Sequence, residues 1–400
     1  MSPNQIKLIT KYANRILILL AVISLAAAWV YGHVAHREPV EHYLPGALGN
    51  AADFHLIHAD TDNELYLFDG RDTNGDPVGY ITVTHGRGYG GPMMVVVGWS
   101  LQGSIYTVRV PQHREDWPWF HILDAKKFYD QYIGRKDTDR LHLGRDIDAV
   151  TGASRSAHGV AEGVLKAREL VAKKLGHRIP PSEKPAISFG AAEILLFLGL
   201  ALVLMFRTLR VLNKVPFRRS LLLGFGFIVV GIWLQHPLSL VNFTTWMMGY
   251  APPWQSNIWL YGLVLGVPAL TLILGKNCYC FWFCPFSAVQ EGAHLLTGSK
   301  VRPGRTCGKA LRTVRYILLW LALFLAFSFH NPSLTVYEPW TALFTLKGTT
   351  GLWILVAVTL GSALVVHNFW CSYLCPVGAI LELLLKAHST ITSLWQKRKR

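Results

Sequence analysis

Apolar residues gather in six stretches along the chain, at about 16–32, 189–206, 220–235, 258–275, 314–330 and 352–368. Each is close to the ~17–25 residues that cross the hydrocarbon of a bilayer, so the pattern predicts about six transmembrane helices. The segment 34–185 is patterned differently. Short strand-like runs (ELYLFDG, VGYITVT, MMVVVGWS, SIYTVRVP) alternate there with glycine-rich turns such as HGRGYGGP. They give way to one amphipathic helix, SAHGVAEGVLKARELVAKKL, as expected of an α+β domain. Three parts follow: an N-terminal transmembrane anchor over 1–33, an α+β domain over 34–185, and an all-α polytopic membrane domain of five helices over 186–400. A basic start before a short apolar run also fits a cleaved signal, but no clean small-x-small site follows it.

With 51% hydrophobic and 16% charged residues, the chain is too apolar for an ordinary soluble protein. Its net charge of +15 would suggest nucleic acid if it were spread evenly. It is not: residues 34–185 hold 18 Lys+Arg against 20 Asp+Glu, a net of −2, which leaves +17 on the membrane part. Nucleic-acid binding loses its support. In the membrane part the basic residues alternate from loop to loop. Lys7, Lys11 and Arg15 precede the first stretch, and Arg207, Arg210, Lys214, Arg218 and Arg219 lie between the second and third. Residues 236–257 have none, 276–315 have seven, 331–351 have only Lys347, and the tail from Lys386 has five. The positive-inside rule puts both termini and the 276–315 loop in the cytoplasm of a bacterial inner membrane, and 34–185 on the periplasmic side.

Five of the six cysteines fall just after stretches that run outside to inside. Residues 277–285 read NCYCFWFCP and residues 368–376 read NFWCSYLCP, an offset of 91. The shift pairs Asn277 with Asn368, Cys280 with Cys371, Cys284 with Cys375, Pro285 with Pro376, Ala288 with Ala379 and Glu291 with Glu382. The shared N-x-x-C-x-x-x-C-P-x-x-A-x-x-E reads as an internal repeat. Proline favours the first turn of a helix and disfavours helix just before it, so each Cys-Pro begins a new helix. A thiol there faces the positive end of a dipole, which lowers its pKa. On one regular turn the two Cβ atoms of C-x-x-x-C are ~5–6 Å apart, against ~3.8 Å in a relaxed disulfide, so ligation is favoured over a bridge. Cys280, Cys284, Cys371 and Cys375 supply the four thiolates that an iron–sulfur cluster or a structural zinc takes. A redox-active dithiol and plain buried cysteines are the alternatives. Cys278 and Cys307 stay unassigned. The aromatics around the motifs read as an interfacial belt, Glu291 and Glu382 as exposed at the boundary, and no histidine pair is spaced for haem.

In the exported segment, DIDAVTGASRSAHG leads straight into the amphipathic helix, whose first N–H groups favour phosphate. Alone this is a common capping arrangement. Asp148, Thr151, Gly152, Ala153 and Ser154 resemble the D-x-x-[S/T]-G-A-[T/S] signature of the FMN-binding domain of RnfG, NqrC and NosR-type proteins. That resemblance implies FMN carried as a phosphoester on Ser154, where the family more often has threonine. A dedicated flavin transferase that reads the other four residues would install it, with Ser156 the less suited neighbour. The paired C-x-x-x-C-P units resemble NosR- and NapH-type membrane electron carriers. Both features in this order are similar to NosR and PceC-type proteins. NosR-type chains run on into a cytoplasmic ferredoxin-like domain, so the plan is closer to the PceC type.

The expected protein is a membrane flavoprotein with covalent FMN and a Cys-ligated iron–sulfur centre. It passes electrons between the quinone pool, or a cytoplasmic ferredoxin-like donor, and a periplasmic reductase. The rivals are a redox-sensing regulatory or maturation protein and a zinc-binding transporter. A bilayer of ~30 Å is too thick for one efficient tunnelling step, which demands an intermediate carrier or a close approach of the flavin domain.

Overall fold

The computed structural model describes residues 3–35, 39–61, 63–88, 90–115, 117–180, 187, 189–209, 217–299, 301 and 303–398. Arg210, Lys214, Lys300, Arg302, Lys399, Arg400 and the boundary at 185/186 lie outside the described residues.

Five strands form an antiparallel meander in the order β1 (Asp53–Asp60), β2 (Leu65–Arg71), β3 (Pro77–Arg87), β4 (Pro92–Ser100) and β5 (Ile105–Gln112). Proline opens β3 and β4, the strand position where its missing N–H costs least. Strand β4, MMVVVGWS after that proline, is buried along nearly its whole length, which explains a continuous apolar run where alternation is usual. One face, through Met93, Val95, Val97 and Trp99, packs on the helix Ser154–Leu175. The other, through Met94 and Val96, is covered by Leu44, Ala47 and Leu48 from the segment ahead of the sheet.

The helix sits unusually close to the sheet. Thr84 Oγ1 donates to the Gly163 carbonyl at 2.8 Å, and a Cβ at Gly86 would collide with the Gly159 carbonyl oxygen. Gly159 and Gly163 lie one turn apart on the contacting stripe, and their missing side chains set that distance. Gly176, in the left-handed region at φ 72°, ends the helix. Buried Arg168 donates to the carbonyls of Asp139 and Arg140 at 2.7 and 3.0 Å and ties the loop ahead of the helix to it.

All six apolar stretches carry helix. They are Pro3–Ala35, Ala191–Thr208, Arg218–Gly226 with a π continuation Phe227–Trp233, Ile258–Leu274, Arg305–Ser328 and Thr350–Val365. Three are long and apolar enough to cross a membrane alone (Arg15–Ala35, Ala191–Thr208 and Arg305–Ser328), or four if Pro339–Thr345 and Thr350–Val365, bent by 101°, count as one span. The π segment falls where the third helix passes the first cysteine motif. A Cβ at Gly226 there would collide with the Phe283 carbonyl oxygen, and one at Gly231 would lie 3.1 Å from Pro285 Cβ.

Gly86→Ala is expected to push the helix off the sheet and to cost about 1–3 kcal/mol, as overpacking does. A thermal scan followed by near-UV circular dichroism checks it; an unchanged midpoint contradicts the close approach.

Candidate functional site

The two cysteine motifs fold into one backbone shape. Short helices Cys278–Trp282 and Phe369–Tyr373 are offset by 91 residues and end on Phe283 (φ −139°, ψ −17°) and Leu374 (φ −129°, ψ −23°). Cys284 N and Cys375 N donate to the carbonyls of Tyr279 and Trp370 at 2.8 and 2.9 Å. New helices Pro285–Thr297 and Pro376–Arg398 then start on the prolines. Cys280 and Cys284 therefore do not share one helical turn: the helix stops between them and Cys284 is the N-cap of the next.

An arginine from a neighbouring helix clamps each unit. Arg219 forms a two-pronged ion pair with Glu291, one arm at 2.9 Å, and donates to the Phe281 carbonyl at 3.0 Å. Arg315 pairs with Glu382 and reaches the Ser372 carbonyl at 3.5 Å; Ser372 stands where Phe281 stands in the first unit. Both glutamates are thus ion-paired: Glu291 is 17% exposed where interfacial exposure was expected, while Glu382, at 43%, keeps that exposure. The belt reading also changes, because Phe283 and Trp370 are buried in the core, while Phe281 remains half exposed. All six cysteines are free thiols, Cys278 buried and Cys307 exposed.

The units face one another. Buried Gln290, on the first unit's second helix, donates through Nε2 to Cys371 Sγ at 2.9 Å and accepts from Trp370 N at 2.9 Å. Gly378 N donates to Cys375 Sγ at 3.3 Å. Burial pushes the Cys280 thiol up to about 12 and the Cys284 thiol up to about 11. It holds Cys371 and Cys375 well above the ordinary thiol range, with added repulsion from Cys280 and Cys284 on both. Burial thus outweighs the helix dipole that was expected to lower these values. Among the described residues no three His, Cys, Asp or Glu side chains are arranged to hold a single metal ion. A cluster, which spreads its ligands over several irons, suits four dry thiols with N–H groups already donating to two of them.

The flavin-type motif lies at the other end of the chain of contacts. Thr151, Gly152, Ala153 and Ser154 line a cavity of about 380 Å³ with Glu115, Trp119, Arg155 and Ser156. Its opposite wall comes from the helical region: Gln235, His236, Thr341, Thr345 and Lys347. Asp148 is not among the lining residues; its N–H donates to Gln131 Oε1 at 2.7 Å and holds the approach to the turn. Gly152 adopts φ +88°, the left-handed conformation that suits glycine in this turn. Ser156 O–H donates to Glu115 Oε2 at 2.5 Å, which leaves Ser154 as the hydroxyl without a carboxylate partner. Docking is polar: Arg114 donates to Tyr250 O–H at 2.9 Å, Tyr250 bonds His330, and Arg155 lies over the Trp259 ring at 5.1 Å.

Two short links join the cavity to the cysteines. Thr341 on the wall directly follows Trp340, whose ring centroid is 5.5 Å from that of Phe286, two residues after Cys284. His236 on the wall is two residues from Leu238, whose N–H donates at 3.2 Å to the hydroxyl of Tyr279, the neighbour of Cys280.

Residues 88–169 match the FMN-binding domain family, and residues 256–303 and 348–399 match the 4Fe-4S binding domain family. The protein is therefore one that combines an FMN-binding domain with a 4Fe-4S binding domain. It is homologous to NirI, NosR, NapH and MauN. Protein NirI of Paracoccus denitrificans is 24% identical over 66% of this chain and 43% of its own length. Regulatory protein NosR of Pseudomonas aeruginosa is 28% identical over 41% of this chain and 25% of its own. Ferredoxin-type protein NapH of Escherichia coli is 27% identical over 38% of this chain and 58% of its own. The chain thus spans less than half the length of NirI and NosR.

Lys347, Gln290, Arg219 and Arg315 escaped the motif search. Lys347 stood out in the sequence as the lone basic residue of its segment, and Arg219 and Arg315 only as part of the basic loops.

Arg315 is 6% exposed and Arg219 37%. Arg315→Met, which strands buried carbonyls and a partly buried carboxylate, is expected to cost about 3 kcal/mol, and Arg219→Met about 1. Thermal-shift midpoints of the two variants in detergent check the order; equal losses contradict it.

Proposed function

We propose that this chain is a membrane flavoprotein that moves electrons between the quinone pool, or a cytoplasmic ferredoxin-like donor, and a periplasmic reductase. FMN is esterified to Ser154 by a flavin transferase that reads Asp148, Thr151, Gly152 and Ala153. Cys280, Cys284, Cys371 and Cys375 ligate a 4Fe-4S cluster held between two copies of one structural repeat. All six helices cross the membrane, with 34–185 periplasmic and both termini cytoplasmic. The domains run 1–33, 34–185 and 186–400.

The observation that carries this reading is the continuity between the two sites: the wall of the T-G-A-S cavity and the packing around the cysteines come from the same segments, 235–240 and 337–345. When bound, FMN exchanges one or two electrons, and the cluster exchanges one. The chain's own residues do the rest. Ser154 anchors, Gln290 and Gly378 N–H donate to ligand sulfurs, and Phe283, Phe286, Trp340 and Trp370 exclude water. Such donors stabilise the more negative state of a sulfur-bound centre and raise its potential.

A regulatory role is the second reading, favoured by the name that the NosR relatives carry. In that case deleting the gene alters the expression or maturation of a periplasmic reductase and leaves quinol oxidation unchanged. Electron transfer predicts that quinol oxidation falls.

Anaerobically purified protein is expected to contain iron and acid-labile sulfide in equal amounts. Cys284→Ser and Cys375→Ser should each bleach the visible absorption. Zinc without sulfide overturns the cluster. Ser154→Ala should abolish in-gel flavin fluorescence under denaturing conditions; retained fluorescence places the ester elsewhere.

A further inference from the structure

The segments that join the helices on the exported domain's side are almost free of cations: 236–257 has no Lys or Arg, and 331–351 has Lys347 alone. That one cation does not point into open solvent. Leu346, at φ 55°, turns the chain at the end of Pro339–Thr345. Thr345 Oγ1 then donates to the Thr341 carbonyl at 2.6 Å and accepts from Lys347 N at 3.3 Å, which holds the backbone of Lys347 at the cavity mouth. Its ammonium extends across to the turn before Ser154, so that a Cβ at Gly152 would collide with Lys347 Nζ. Among the described residues Lys347 Nζ has no ion-pair partner. Glu115, the carboxylate on the wall, is already engaged by the Ser156 hydroxyl and by Gly90 N–H at 2.7 Å.

Across this cavity an ammonium from one domain faces the N-terminus of a 22-residue helix from the other. Both are positive poles, and their first-turn N–H groups have no partners within the helix. Two such poles repel unless an anion lies between them. Glu115 meets the helix start through Ser156, and a bound anion at the T-G-A-S turn would compensate the Lys347 ammonium on the other side of the cavity.

We propose that Lys347 is the counterion of the flavin phosphate at this turn, so that the flavin site is composite, with one half from the exported domain and the other from the helical region. This rests on the assignment of FMN to the T-G-A-S motif. It makes Lys347 a positioning residue: it holds the phosphate end of the cofactor against the helical region, on the side where Thr341 and His236 lead to the cysteine motifs. The interaction is with phosphate alone, so it separates FMN from riboflavin.

The test uses the full chain carrying Ser154→Ala, in which flavin binds only non-covalently, with FMN and riboflavin titrated by fluorescence. FMN is expected to bind more tightly than riboflavin. Adding Lys347→Met should cut that preference about tenfold, the effect of one charge-assisted hydrogen bond. Riboflavin affinity should hold, and Lys347→Arg should keep most of the preference. A preference that is the same with and without Lys347 overturns the proposal. If the Ser154→Ala chain retains neither flavin, phosphorus NMR of the covalent flavin in the otherwise wild-type chain decides. A resonance moved by Lys347→Met supports the contact, and an unmoved one overturns it. Wild-type protein without covalent flavin overturns the ester assignment by itself, and the preference measurement still decides the role of Lys347.

Discussion

A helix that stops inside an apolar bundle leaves amides and carbonyls with no water to bond, and everything around the cysteine motifs answers that constraint. At each Cys-Pro break the chain turns back on itself, and the N–H groups of the cysteine and the residue before it both donate to one carbonyl, Tyr279 in the first unit and Trp370 in the second. The stranded carbonyls two residues along go to arginines, Phe281 to Arg219 and Ser372 to Arg315, each neutralised by its own unit's glutamate. Gln290 then stitches one unit to the other. Satisfying the backbone in this way fixes where the four sulfurs lie. An Arg–Glu pair at this depth is poor evidence of stability for its own sake, but here it closes a break that would otherwise be open. The glycines of the third helix have the same origin: Gly226 and Gly231 are where that helix makes room for the returning chain.

What the chain announced in advance were the features carried by local pattern. The offset of 91 residues foretold two backbones that agree to within about 10° at the residue before each Cys-Pro, because proline restricts φ and ψ of the residue ahead of it and so breaks both helices at the same place. Strands β2 to β5 stood out through runs of Val, Ile and aromatic residues. Strand β1, DFHLIHAD, did not, because it is an exposed edge whose charged and polar side chains face solvent on both sides. Tertiary effects were illegible. Burial reverses the thiol pKa that the helix dipole suggested, and the clamp from Arg219 to Glu291 spans 72 residues with no motif to mark it. The two glutamates were visible as a repeat, yet their partners come from helices that precede each unit at unequal spacing.

The domain-level arrangement resolves a difficulty that the sequence poses. A flavin outside and a sulfur-bound centre near the inner face would be separated by a hydrocarbon layer of ~30 Å. The connecting segments do not stay at the surface. Leu238 donates to the Tyr279 hydroxyl, and Leu240 N donates at 2.8 Å to the buried carboxyl of Glu338. Trp340 meets Phe286. Pro339–Thr345 then leaves the fold of the following helix at a sharp angle. Both connections dip into the bundle and fill the space between the cavity and the cysteine motifs with aromatic rings and hydrogen-bonded backbone.

That filling has a cost, which shows where the chain accepts it. Glu338 is almost wholly buried, and one of its carboxyl oxygens lacks a partner among the described residues, as do the Tyr337 hydroxyl and the indole N–H groups of Trp340 and Trp370. Polar atoms left unsatisfied in an apolar interior are expensive, and in a bundle designed only to span they would be replaced by leucine. Other buried polar atoms without a partner among the described residues lie elsewhere, such as the Tyr132 hydroxyl and the Trp246 indole N–H, but these four flank the segment that runs between the cavity and the cysteine motifs. The stability surrendered by these four lies beside the contact of Trp340 with Phe286, between the wall residue Thr341 and Cys284.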